Sequence, residues 1–155
     1  MSRSPGTVRD VEEGAIAGLE AVALGILVLV VGVLLVVNAW GVADAHLAVS
    51  GAAREAARAY VEAPGPDVAA SAARTAAIAA LAAQGRDPAR MQLALTGSFE
   101  RCAQVSSTVR YEVPAVVLPD GLGFDGAITV SATHAERVDP LRTGVPGEAS
   151  CVAQR

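Results

Sequence analysis

The 155-residue chain contains no lysine, only two cysteines and two histidines, and 3% aromatic residues. Its 12 basic residues are therefore all arginine, and 16 acidic residues outnumber them, which leaves a net charge of −4. A phosphate backbone requires a basic face, so this balance argues against a nucleic-acid-binding protein. Two cysteines and two histidines are also too few for most structural metal frameworks. Together these absences point away from an ordinary cytosolic enzyme.

What the chain has in abundance is small and aliphatic side chains. Alanine accounts for 33 of the 155 residues, 52% of the chain is hydrophobic, and the mean hydropathy is +0.42. So high a value argues against an intrinsically disordered chain. The length fits one small domain with an appendage, but it does not fit two full domains.

An uncharged run of 23 residues, Ala21–Ala43, predicts a membrane-inserting helix. At 1.5 Å per residue such a helix measures about 34 Å, enough to cross a hydrocarbon core of about 30 Å. Asn38 and Trp40 stand near its far end, where a polar amide and an amphipathic ring suit the headgroup region. We therefore divide the chain into a cytoplasmic tail that could carry a leader (1–20), a transmembrane helix (21–43), a helical stalk (44–63) and an exported α+β domain (66–155).

A cleaved signal peptide is the alternative to a retained span. The apolar run is longer than the roughly 7–15 residues of a signal-peptide core, and the tail before it is not clearly basic. The tripeptide Ala43-Asp44-Ala45 nevertheless satisfies the small-x-small rule for cleavage. The basic residues do not fix the orientation. We place the N-terminus inside and the C-terminal domain outside the cytoplasmic membrane, because a short tail is easily left behind during export.

Beyond the span the sequence predicts an α+β fold. Helix-compatible residues continue to Glu62, and Pro64-Gly65-Pro66 then stops the helix. A second, alanine-rich helix follows and ends at Gly85. Its predicted packing stripe, against the exposed half of the first helix, is Val68, Ala72, Thr75, Ile78, Ala79 and Ala82. Alternation of apolar and polar residues predicts a small antiparallel sheet of about three strands, around Met91–Leu95, Val105–Val113 and Ile128–Ala132.

The segment 114–126, between the last two predicted strands, is too long and too apolar for a simple hairpin turn. Its larger side chains either tuck into the core or form an exposed patch that touches a partner or the membrane surface. The sequence leaves both possibilities open.

Cys102 and Cys151 both fall in the exported part under this topology. Two cysteines in an oxidising compartment most often pair. A disulfide across their separation of 49 residues would stabilise the fold by about 4 kcal/mol in the chain-entropy treatment, and would tie the C-terminal tail to the start of the sheet. No nucleophile–base pair, phosphate-binding loop or carboxylate pair stands out, so we expect neither an enzyme nor a bound cofactor or metal.

Glu20 lies at the mouth of the apolar run. A carboxylate at the edge of a membrane helix is costly unless it reaches the headgroups or finds a partner. Glu20 therefore either marks the interface or neutralises a cation, such as a free N-terminal amine on a neighbouring subunit.

Four features of the chain carry a family resemblance. They are Arg9-Asp10 with Gly14 before the span, Glu20 at its mouth, Ala52-Ala-Arg-Glu-Ala-Ala-Arg58 just after it, and Ala135-Glu-Arg-Val-Asp-Pro-Leu-Arg142 near the end. In this order they resemble the TadE-like pilus-assembly proteins, which are minor pseudopilins of the tight-adherence branch of type IV pilus systems. The last two features look most like the actinobacterial members.

The resemblance implies a structural or assembly component of a pilus that acts by helix packing. Its implied partners are the membrane, other pilins and pseudopilins, the pilus-assembly machinery and a prepilin peptidase that trims the chain before the apolar helix. Family members commonly have Gly before the cut and Glu as the fifth residue after it. Here a cut after Gly14 makes Glu20 the sixth residue, and only a cut after Ala15 makes it the fifth. Gly14 and Ala15 are therefore the candidate processing residues, and Glu20 is the candidate for charge pairing between subunits.

Two other functions remain open at this point. One is a small secreted binding domain released from a cleaved signal peptide. The other is a single-pass membrane accessory protein that never joins a filament.

Overall fold

The computed structural model describes residues 9–114, 127–148 and 151, with side chains from residue 20 onward within these ranges. Its helices are α1 (Arg9–Glu62) and α2 (Pro66–Ala83), followed by a 3-10 turn at Pro88–Arg90. Its strands are β1 (Met91–Thr96), β2 (Gln104–Pro114) and β3 (Ala127–Arg137). The predicted α+β class is confirmed. The apolar segment 114–126 lies outside the described residues, apart from Pro114.

The first helix is uninterrupted over 54 residues and starts earlier than predicted, because the tail from Arg9 onward is also helical. It runs through Gly51 and ends before Pro64-Gly65-Pro66, as predicted. The chain divides into two compact units, Met1–Ala39 and Trp40–Arg155. Residues of α1 belong to both units, and each unit is described by itself below.

The second helix has the ends that its sequence predicts. Pro66 occupies the first turn, where its missing N–H costs nothing, and Asp67 complements the positive end of the helix dipole. At the other end Gly85 takes a φ of +68°, and its N–H donates to the carbonyl of Ala82 at 2.9 Å. A left-handed residue of this kind closes the helix because glycine has no Cβ to clash.

The three strands form one antiparallel sheet in the order β1-β2-β3. Tyr111 at the centre of the sheet pairs with Met91 on one side and Val130 on the other. The face predicted to be apolar is buried along β2: Val105, Val109, Tyr111 and Val113 are at most 5% exposed. Ile128 departs from the prediction, since it lies near the start of β3 and remains 46% exposed.

Alanine supplies about half of the core residues of the second unit. Residues of α1 after Trp40, the α2 face and the inner face of the sheet form one cluster of buried side chains, among them Ala45, Ala48, Val49, Ala52, Ala53, Ala56, Ala73, Ala77 and Leu81. A smaller cluster gathers Ala63, Ala69, Phe99, Val105, Val138 and Val145. The segment that the sequence suggested as a stalk therefore supplies much of this core.

The predicted packing stripe of α2 is wrong. The residues of α2 that are fully buried are Ala69, Ala73, Ala77 and Leu81. By contrast, Val68 is 41% exposed and Ile78 is 37% exposed. Residues four apart lie on one face of a helix. The face that packs carries three alanines and Leu81, so the larger aliphatic side chains of Val68 and Ile78 did not select the buried face.

Candidate functional site

No part of the chain that the structure describes covers the apolar segment of α1 in the first unit. From Glu20 this helix is long and apolar enough to cross a membrane, and none of its most apolar window is buried. Leu34 and Asn38 are half-buried, and the other side chains between Glu20 and Ala39 are exposed. Twelve of them are large aliphatics that are 45–67% exposed: Val22, Leu24, Ile26, Leu27, Val28, Leu29, Val30, Val31, Val33, Leu35, Val36 and Val37. At about 1.5–3 kcal/mol for each such side chain, removing this surface from water is worth tens of kcal/mol.

The one amide in this segment is satisfied by its own helix. Asn38 donates from Nδ2 to the carbonyl oxygen of Leu34, four residues earlier, at 2.8 Å. A polar group in an apolar environment costs several kcal/mol when it lacks a hydrogen bond. This bond therefore lowers the cost of placing Asn38 at the edge of a bilayer.

Gly14, Ala15 and Glu20 lie on the same continuous helix. Glu20 is exposed, and no ion pair reaches it from any residue within the described ranges. The Cα atom of Glu20 lies about 9 Å along the helix axis from that of Gly14, at 1.5 Å per residue. The structure thus leaves the side chain of Glu20 accessible to a partner.

The second unit begins with residues that fasten α1 to the rest of the domain. Asp44 accepts a hydrogen bond through Oδ2 from Nη2 of Arg86, which follows the end of α2. Ala45 is fully buried, and Val42 packs against the same core. Trp40 is 76% exposed, as suits a ring at a membrane interface. Sequence reasoning missed the Asp44–Arg86 pair because its members are 42 residues apart.

The motif Ala52–Arg58, which contributes to the family resemblance, divides by side-chain type. Its four alanines are fully buried, while Arg54, Glu55 and Arg58 are exposed. Arg58 donates through Nε to Oε1 of Glu62 at 2.9 Å. This hydrogen bond, with the charges of Glu62 and Glu55, raises the pKa of the Arg58 guanidinium. The motif thus builds the core on one side of α1 and a charged surface on the other.

The segment after β3 is fastened to the loop before β2. Cys102 and Cys151 lie at disulfide distance, with their Cα atoms 5.2 Å apart. Next to them Arg101 donates its backbone N–H to the carbonyl of Pro146 at 2.8 Å and its Nε to that of Arg142 at 3.1 Å. Val138 and Cys102 are also joined, through the Cys102 N–H and the Val138 carbonyl, at 3.1 Å. The cysteine pair is thus one of several links that hold the C-terminal segment.

Arg142, the last residue of the Ala135–Arg142 motif, holds the C-terminal end of α1. Its guanidinium donates to three consecutive backbone carbonyls: those of Val61, Glu62 (2.9 Å) and Ala63 (2.5 Å). It also lies 5.7 Å from the ring centroid of Phe99. The last carbonyls of a helix have no intrahelical donor, so a cation there satisfies them and complements the helix dipole. The motifs Ala52–Arg58 and Ala135–Arg142 therefore belong to neighbouring parts of one domain.

The outer face of the sheet is polar and carries a shallow depression. It is lined by Arg90, Gln92, Arg110, Tyr111, Glu112 and Thr129. The alternation of β2 placed Arg110 and Glu112 on this face, but the pairing that adds Gln92 and Thr129 belongs to the sheet.

Other polar groups of the domain form no catalytic arrangement within the described ranges. Ser107 is fully buried, so its hydroxyl cannot meet a substrate. His134 hydrogen-bonds through Nε2 to Oε1 of Glu136 at 3.2 Å. No group of three or more His, Cys, Asp or Glu side chains among the described residues could hold a metal ion.

Comparison of the chain with protein-family models, with curated proteins and with solved structures gave no match.

Proposed function

We propose that this chain is a single-pass membrane protein of the TadE-like type, a structural or assembly component of a tight-adherence pilus. The N-terminal tail lies inside, the apolar part of α1 spans the cytoplasmic membrane, and the α+β domain lies outside. The protein is not an enzyme and uses no cofactor. The observation that carries the proposal is the long α1 helix, exposed and apolar between residues 21 and 39 and part of the domain core from Ala45 onward.

The burial of Ala45 supports a retained span over a cleaved signal peptide. Cleavage after Ala45 would remove Ala45, Val42 and Asp44 from the domain, and with them part of its core and the hydrogen bond to Arg86. Buried alanines of α1 follow at once, at positions 48, 52, 53 and 56. A domain that depends on α1 for its core favours a helix that stays attached.

The proposed mechanism is helix packing. The apolar segments of several subunits leave lipid and bundle together, and the α+β domains face outward. Glu20 is exposed at the mouth of the segment, where its carboxylate is available to a neighbouring subunit's N-terminal amine. Such a pair, formed away from water, removes the cost of an uncompensated charge at the membrane edge.

The experiment that tests the proposal is the mass and N-terminal sequence of the mature chain, recovered from cells with their own processing machinery. A start at Ala15 or Ile16 identifies a processed pseudopilin. A start at His46 would identify a secreted domain and refute the proposal. An intact N-terminus would leave a membrane-anchored protein and refute the processing step.

Glu20 gives a second, independent test. We expect Glu20→Ala to reduce incorporation into pili at least about tenfold, which corresponds to about 1.4 kcal/mol of lost pairing, and Glu20→Lys to abolish it. Glu55→Ala is the matched control, because Glu55 is an exposed carboxylate on the same helix within the outer domain. The measurement is the ratio of pilus-associated to membrane-retained chain. Normal assembly of the Glu20→Ala chain would show that charge pairing is not the mechanism.

A further inference from the structure

The depression on the outer face of the sheet places charges of both signs side by side. Its volume is about 190 Å³, and two arginines and one glutamate are among the residues that line it: Arg90, Arg110 and Glu112. Gln92 and Thr129 add an amide and a hydroxyl. Tyr111 is only 3% exposed, so the depression offers no open aromatic face.

The charged side chains of the depression have few ion-pair partners among the described residues. Arg110 and Glu112 are exposed, and neither forms an ion pair with any residue that the structure describes. Arg90 has one ionic neighbour, Asp87, with Nε and Oδ2 3.8 Å apart and the arginine side chain 45% exposed. An exposed pair at that distance contributes little. Arg90 is therefore available to an incoming anion.

The register of the sheet sets the arrangement of these groups. Arg110 pairs with Gln92 on β1, and Glu112 pairs with Thr129 on β3. Residues two apart on a strand point to the same face, with Cα atoms about 7 Å apart. A positive and a negative group thus stand side by side on one face, each with an uncharged hydrogen-bonding neighbour across the strand.

This pattern fits a zwitterion better than a simple anion. The lining carries two positive charges and one negative charge, so a simple anion would leave the carboxylate of Glu112 without a partner. A ligand with a phosphate and a primary ammonium can satisfy both signs at once. A quaternary ammonium has no N–H to donate to Glu112 and is bound by exposed aromatic faces, which this depression lacks.

The depression lies at the end of the domain where α1 enters. Arg86 hydrogen-bonds to Asp44, the first residue after the predicted span, and Arg90 follows four residues later. The Cα atoms of Arg86 and Arg90 are at most about 14 Å apart. Pro114 and Ala127, which pair with each other, also belong to this end, because β1 begins here opposite Tyr111.

We propose that this depression binds the phosphoethanolamine headgroup of a membrane lipid. The phosphate lies between Arg90 and Arg110, and the ammonium group donates to Glu112. Gln92 and Thr129 complete the hydrogen bonds. The inference rests on the proposed function, since a lipid is the neighbouring source of this headgroup only when the apolar part of α1 spans a bilayer. The same headgroup chemistry on a soluble molecule is the other source, and the test separates the two.

The test uses the full-length chain in detergent micelles. Dihexanoyl phosphatidylethanolamine, dihexanoyl phosphatidylcholine and free phosphoethanolamine are titrated separately, and binding is followed by phosphorus NMR. We expect the ethanolamine lipid to bind about tenfold more tightly than the choline lipid, since one charge-assisted hydrogen bond is worth about 1.4 kcal/mol or more. Equal affinities for the two lipids would overturn the proposal. Free phosphoethanolamine that binds as tightly as its lipid would overturn the lipid as the source.

Variants locate the site. Arg110→Gln and Glu112→Gln should each weaken binding of the ethanolamine lipid about tenfold, and Glu112→Gln should also remove the preference over choline. Arg74→Gln and Glu55→Gln are the controls, because both residues are exposed charges of the same unit outside the depression. Loss of binding in the controls, or none in the depression variants, would overturn the assignment.

Carbonate extraction of cell membranes tests the membrane span separately from the lipid-binding site. A chain that stays in the membrane but shows no lipid preference refutes the depression alone. A chain that is released by carbonate refutes the membrane span, and with it the lipid as the source, whatever the NMR titration shows.

Discussion

Arg142 is the residue whose replacement tests most directly how the domain is held to α1. Methionine keeps the aliphatic length of the side chain but removes its charge and its donors. The Arg142→Met variant therefore leaves the carbonyls of Val61, Glu62 and Ala63 without the guanidinium, and the ring of Phe99 without its cation. We expect the C-terminal end of α1 to loosen from the segment after β3.

The expected loss of stability follows from these contacts. A hydrogen bond in a protein contributes about 1 kcal/mol net, and more with a charged donor. A cation over an aromatic ring adds about 0.5–1 kcal/mol at a partly exposed site. Three hydrogen bonds and one ring contact at half-buried Arg142 give about 3 kcal/mol, after allowance for water that solvates the freed carbonyls. This corresponds to a factor of roughly 150 in the unfolding equilibrium.

Amide hydrogen exchange of the full-length chain in micelles measures this change. The slowest amides of β2 report the opening of the whole domain, and those at the end of α1 report local opening. We expect Arg142→Met to lower protection about 100-fold in both. Arg142→Lys keeps the charge but not the planar set of donors, so it should recover only part of the loss.

Arg74→Met is the matched control, because Arg74 is an exposed arginine on α2. If Arg142→Met lowers protection no more than this control, the carbonyl contacts do not hold the domain to α1. Faster exchange at the end of α1 with unchanged β2 would show that the contacts act locally and do not contribute to global stability.

Two further predictions concern the packing and the cysteines. Ala73→Leu should destabilise the domain by about 2 kcal/mol or more, because Ala73 is fully buried in the core. Ala79→Leu, on the exposed side of α2, should change the stability by less than about 0.5 kcal/mol. Equal effects of the two substitutions in thermal unfolding would contradict close packing around Ala73. Replacing Cys102 and Cys151 together by serine should cost about 4 kcal/mol if they form the disulfide, as the chain-entropy treatment predicts. The measurement is urea unfolding of both chains with and without a reductant: the reductant should destabilise the parent chain alone, and a parent chain unaffected by it would show that the bond is absent or without effect.

The sequence by itself determined the elements whose signals are local. The uncharged run from Ala21 predicts a helix too apolar to remain in water, and the structure has that helix with its aliphatic side chains exposed. Pro64-Gly65-Pro66 and Gly85 end the two helices because their backbones do not continue a helix favourably. The alternation of Val105–Val113 identifies the buried face of β2, since a strand has only two faces. Each of these signals acts over a few residues, and each needs no knowledge of the rest of the fold.

Only the tertiary structure decided which surfaces meet. In α2, small apolar residues occur all around the helix, so periodicity did not select the face of Ala69, Ala73 and Ala77 that packs. The choice depends on how closely a second helix can approach, and that is a property of the pair. Arg142 reaches the end of α1 across about 80 positions of sequence, a contact that no local pattern encodes. The depression around Arg110 likewise exists only because sheet register brings residues of three strands together.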